Sequence, residues 1–226
     1  FNDIRFKVDN FNKQNMSVIQ DNWDKIKESI RTTVELINTF GFDYQTLISN
    51  NAIIPIAYYL YKKGLNHSFV TSVNFKDERE KIKRWLHIVL LKQTFGGNSD
   101  QVLSVIRKII GENLNSFPVE VMKQRLKGTP KSIDFGEEEI ENLLEYEYGK
   151  KYTFSVLALL YPTLDYNNLF HQDHIHPRSL FTKRKLLERG VREEDIDFCL
   201  ENYNKIPNLQ LLEGSINTSK SAKPFE

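Results

Sequence analysis

Through most of the first 160 residues, apolar side chains recur at three- and four-residue steps, the spacing of one helix face. Ser17 to about Phe40 carries Val18, Ile19, Trp23, Ile26, Ile30, Val34 and Ile37 in that rhythm, with Ser17 as N-cap and Gly41 as the stop. A second helix is expected over Ile53 to Lys63; Pro55 sits in its first turn, where a missing N–H is tolerated, and Gly64 ends it. Asp77 to Phe95 is a third, with Ile82, Trp85, Leu86, Val89 and Leu90, broken by Gly96-Gly97. A fourth runs from Ser99 or Asp100 to about Ile110, and Pro118 to Leu126 is a short fifth. Glu137 to Tyr148 and Tyr152 to Leu160 form a helical pair split by Gly149. The expected fold class is mostly α, with residues 1–162 as a multi-helical body.

One stretch of that body breaks the rhythm. Ile4, Phe6 and Val8 alternate with Arg5, Lys7 and Asp9, which reads as an edge strand over residues 4–9. Little else in the N-terminal half offers it a partner. The chain also opens on Phe1 rather than Met, so a piece of a longer polypeptide is expected. Hydrophobic residues make up 40% of the chain and charged residues 27%, enough for a packed core. Lys, Arg, Asp or Glu interrupts every apolar run, so no membrane span is expected. No signal-peptide pattern opens the chain. Cys199 is the sole cysteine, which excludes internal disulfides and a cysteine-based zinc site. A cytoplasmic protein is the expectation.

The net charge is only +1, so nucleic acid would have to be held by a local patch. Arg178, Lys183, Arg184, Lys185, Arg189 and Arg192 supply one in a single short stretch, with Glu188 within it as the opposing charge.

After residue 162 the texture changes. Leu169 to His174 reads as a strand, Phe181 to Glu188 and Glu193 to Tyr203 as short helices in a long connection, Asn208 to Glu213 as a second strand, and a last helix starts near Ser215. The first strand ends in Asp173-His174-Ile175-His176-Pro177. Phosphodiester hydrolysis needs a base for water, a cation for the charge on phosphorus, and stabilisation of the departing oxygen. An imidazole titrates near neutral pH, which makes His174 the candidate general base. Asp173, its strand neighbour, points to the opposite face and is the candidate metal ligand. Asn217, at the start of the last helix, offers a neutral amide oxygen to the same ion. Asn208, at the start of the second strand, can donate and accept at once, tying down the connection and His174. His176 is an orienting or structural residue. Arg178, Lys220 and Lys223 are candidate phosphate-binding cations.

Asp173-His174-Ile175-His176-Pro177-Arg178-Ser179, with Asn208-Leu209-Gln210-Leu211-Leu212 and Ser215-Ile216-Asn217-Thr218-Ser219-Lys220, resembles the two halves of an HNH, or His-Me finger, nuclease motif. The wording is similar to the C-terminal nuclease part of GmrSD-type modification-dependent restriction endonucleases. The resemblance implies a ββα-metal nuclease unit over 163–226. In it His174 is the general base, Asp173 and Asn217 are metal-site residues, and Asn208 organises the loop. It implies one Mg²⁺ or Mn²⁺ ion per site, DNA as substrate, modified phage DNA in particular, and a restriction or antiviral-defence role. One such site cuts one strand, so a double-strand break would need a homodimer or two sequential nicks. The family's N-terminal nucleotide-hydrolysing domain is an expected partner lying outside this chain, since no glycine-rich phosphate loop occurs here and no nucleotide is expected. Glu226 falls early in the expected supporting helix.

Two other readings compete. His171, Asp173, His174 and His176 could form an imidazole-rich zinc site of another hydrolase class. Alternatively, the chain could be a non-catalytic DNA-binding or scaffold module with the helical body as its working part.

Overall fold

The computed structural model describes residues 8–220. It is mostly helical, with twelve α-helices and one two-stranded antiparallel sheet among the described residues. None of those helices is long and apolar enough to cross a membrane. Residues 4–7 of the expected strand lie outside the described residues, and its last two, Val8 and Asp9, open a 3-10 turn, Val8–Phe11, rather than a strand.

The chain forms two compact units, one of residues up to Asp43 together with Leu47–Asp134, the other of Tyr44–Thr46 together with residues from Phe135 onward. Residues 135–162, placed by sequence with the helical body, therefore belong with the strands. The reason is specific pairing: the Glu147 backbone bridges Lys205, and Ile206 N–H donates to the Tyr146 carbonyl at 3.0 Å.

The first unit holds α1 (Lys13–Asp21), α2 (Trp23–Thr39), α3 (Ile54–Lys63), α4 (Ser68–Thr71), α5 (Lys76–Leu91), α6 (Ser99–Glu112) and α7 (Val119–Leu126). The single long helix expected from Ser17 is two helices. Asn22 separates them, its side-chain amide donating to the Val18 carbonyl at 2.9 Å and competing with the backbone ladder. The cap of α1 is Asn12, whose Oδ1 accepts from Asn15 N–H at 2.9 Å. Of the expected apolar stripe on α2, Ile37 alone is buried. Ser29, Thr32, Thr33, Leu36 and Ile37 are buried, while Trp23, Ile30 and Val34 are exposed. Around Trp85, Tyr59, Phe42, Phe69 and Leu36, all fully buried, the core of this unit closes. Phe117 packs edge-on against both Tyr59 and Trp85, at 5.2 and 5.1 Å between centroids. Glu78 ties that cluster together, its carboxylate accepting from the Tyr59 hydroxyl, the Phe117 N–H and the Ser116 hydroxyl.

The second unit holds α8 (Glu137–Leu143), α9 (Lys151–Leu160), β1 (Phe170–His174), α10 (Lys183–Glu188), α11 (Ile196–Asn202), β2 (Leu209–Glu213) and α12 (Gly214–Lys220). Apolar nearly all round, α9 buries Phe154, Val156, Leu157 and Ala158 and packs against β2. Its neighbour α8 ends at Leu143 rather than at Tyr148, because residues 146–148 pair with residues 204–206 instead of continuing the helix. In the sheet, His174 stands opposite Leu209, Asp173 opposite Gln210 and Gln172 opposite Leu211. Leu209 and Leu211 are buried, and α12 packs against both strands.

Candidate functional site

The strand β1 sorts its side chains by alternation. Asp173 shares its face with Gln210, whose amide donates to Asp173 Oδ2 at 3.0 Å. On that side α12 supplies Lys220, whose ammonium donates both to Asp173 Oδ2 and to the His174 carbonyl. His174 points the other way, with Leu209 as its cross-strand neighbour. Lys220, expected to meet a flanking phosphate, pairs here with Asp173. Asn217 lies one turn before Lys220 on the same helix face. Lys223 lies outside the described residues.

His174 is held from three directions. Its Nε2 is 3.0 Å from Asn204 Oδ1. Its ring stacks on Tyr148 at 4.7 Å between centroids and on Tyr203 at 6.4 Å. An amide oxygen only accepts, so Nε2 carries a proton and, in the neutral ring, Nδ1 keeps its lone pair. The ring is thus a base at one defined nitrogen. Asn204 is itself anchored, its carbonyl accepting from Tyr148 N–H at 2.9 Å.

Asn208 is buried and satisfied on both sides of its amide. Oδ1 accepts from the His176 N–H at 2.9 Å. Nδ2 donates to the His176 carbonyl at 3.0 Å and the Tyr203 carbonyl at 2.7 Å. It thereby joins the end of β1 to the segment that carries Tyr203 and Asn204. The contacts of His176 here are through its backbone, and its side chain is exposed.

Arg178 lies 5.9 Å over the Tyr203 ring, and Phe181 stacks on the same ring at 5.2 Å between centroids. The basic run beyond it is more balanced than its sequence suggested. Lys183 pairs with Glu193, Arg184 with Glu188, and Arg192 with both Glu194 and Asp195. Glu188 lies on the basic helix itself, and Glu193, Glu194 and Asp195 lie on the 3-10 turn that follows it.

The donor set suits a hard cation. A carboxylate and a carbonyl oxygen already converge on one ammonium, and oxygen donors of this kind prefer Mg²⁺ or Mn²⁺. Among the described residues no group of three or more His, Cys, Asp or Glu side chains is placed to hold a metal ion. Asp173 and His174 diverge, as strand neighbours must.

Asn204, Tyr148 and Gln210 are absent from the sequence-derived site. Gln210 had a signal, since alternation within Leu209–Glu213 makes it the polar residue facing away from Leu209 and Leu211. Asn204 and Tyr148 had none, because their roles arise from pairing between distant segments. Comparison with known proteins finds no matching family model and no matching curated protein.

Proposed function

We propose that this protein is a divalent-metal-dependent DNA endonuclease of the HNH type, acting through a ββα unit of β1, β2 and α12. The observation that carries the reading is β1 itself. One strand presents a cation-gripping carboxylate to one side and an imidazole whose Nε2 is engaged by Asn204 to the other.

Asp173, the His174 carbonyl and Asn217 are the residues that would offer oxygen donors to such an ion. When bound, Mg²⁺ or Mn²⁺ would supply charge stabilisation for the phosphate and its leaving oxygen. The His174 Nδ1 takes a proton from the attacking water. As the ring becomes imidazolium, its Nε2–H bond to Asn204 strengthens, so the charged ring is stabilised without moving. Asn208 keeps the strand end and the Tyr203–Asn204 segment in register while this happens. Arg178 is free to reach a backbone phosphate from its perch over Tyr203. The reading is of a nuclease directed by DNA modification or by a coupled domain in a restriction or phage-defence system. One such site nicks one strand, and a double-strand break needs a homodimer or a second nick.

Plasmid nicking in Mg²⁺ or Mn²⁺ tests the assignment. The parent converts supercoiled to open-circular DNA, and His174→Ala lowers the rate by roughly 10²- to 10⁴-fold. Equal nicking by the two proteins removes the assignment.

A further inference from the structure

Lys220 occupies an unusual place for a residue expected to meet a phosphate. Its ammonium donates to Asp173 Oδ2 and to the His174 carbonyl, and the two side chains are only 13% and 16% exposed. Gln210 donates to the same carboxylate oxygen at 3.0 Å. A carboxylate and a carbonyl gripping one compact point charge are the same oxygen donors that a partly hydrated divalent ion seeks. Both cations cannot hold them together, since a divalent ion and an ammonium in contact with the same carboxylate oxygen repel at short range in a partly desolvated site.

We propose that Lys220 is the resident counter-cation of this oxygen pair, and that a divalent ion enters by displacing it. Resting on the metal-dependent reading above, the inference gives Lys220 two successive partners. Without metal it neutralises Asp173 and clamps α12 to the end of β1. With metal its ammonium leaves the pair and becomes available to a nucleic-acid phosphate. Asp173 is then never left unpaired, and the charge available to DNA rises when the site is loaded.

The test uses the whole chain without DNA. Lysines are reductively methylated in EDTA and in millimolar Mg²⁺, and each is followed by mass spectrometry. Lys220 is expected to be protected in EDTA and several-fold more reactive in Mg²⁺, while the exposed Lys183 is unchanged. Mn²⁺ binding, followed by electron paramagnetic resonance, is expected to tighten by on the order of tenfold in Lys220→Met, with the charge-conserving Lys220→Arg remaining at or below the parent's affinity. Unchanged Lys220 reactivity while Mn²⁺ binds overturns the inference, as does parent-like affinity in Lys220→Met or the absence of any Mn²⁺ binding. If Lys220→Met does not fold, the methylation experiment on the parent still decides. Nicking is read separately: cleavage without displacement sinks this inference alone, and displacement without cleavage sinks the nuclease reading alone.

Discussion

Asn204 and Asn208 lie four positions apart and serve different ends. Asn204 sets which nitrogen of His174 holds the proton, through one bond of 3.0 Å. Replacing it with alanine leaves the ring free to change tautomer, so Asn204→Ala should lower kcat roughly ten- to a hundredfold with little change in KM or melting temperature. Steady-state nicking kinetics beside a thermal melt check this. Asn208 instead satisfies three backbone groups from a buried position. Asn208→Ala strands those groups and should destabilise the second unit by about 2–4 kcal/mol, measured by urea unfolding. The Asp173-His174 pair was legible in the sequence because adjacency on a strand already implies opposite faces. The restraint on His174 was not, because Asn204 reaches it across a 30-residue separation.

Among the elements, α2 shows how far periodicity reaches. Its spacing announced a helix, yet the buried side is the Ser29, Thr32, Thr33, Leu36 face, and Trp23 and Ile30 remain exposed. Small residues face inward where α3 packs closely against α2. A polar contact joins α3 to α5, the Tyr59 hydroxyl donating to Glu78. Burial, aided by the hydrogen bond to Glu78, pushes the Tyr59 phenol well above its ordinary value of 10.0. Burial also raises Tyr146 and Tyr166. Because the folded chain keeps these protons while the unfolded chain releases them, their contribution to stability is complete below pH 10.0 and declines as pH rises beyond it. A urea midpoint measured from pH 8 to 12 should fall over the alkaline half of that range, less steeply in Tyr59→Phe. In the other unit, β2 stands on Leu209 and Leu211, both nearly inaccessible. Leu211→Ala opens a cavity against α9 and should cost about 2–4 kcal/mol, read in the same denaturation experiment.

At the scale of the molecule, charge is distributed rather than concentrated. The net charge of +1 and the basic run both look different once Glu193, Glu194 and Asp195 are seen beside Lys183 and Arg192. Exposed pairs of this sort are weak, so a phosphate can compete for the cations. Neutralising the three acids as Glu193→Gln, Glu194→Gln and Asp195→Asn should tighten DNA binding and steepen its dependence on salt, measured by fluorescence anisotropy across a salt series. An unchanged slope would mean that DNA does not approach this face.

From sequence alone came the helical character of the chain, the positions of most breaks, both strands and the identity of the Asp-His pair. These are local properties, set by side-chain spacing and by glycine and proline geometry within a few residues. Tertiary structure decided which face of α2 is buried, where α8 stops, that Asn204 and Tyr148 attend His174, and that Lys220 answers Asp173. Each of those depends on two segments meeting across a long stretch of chain, and no spacing within either segment encodes which partner it will meet.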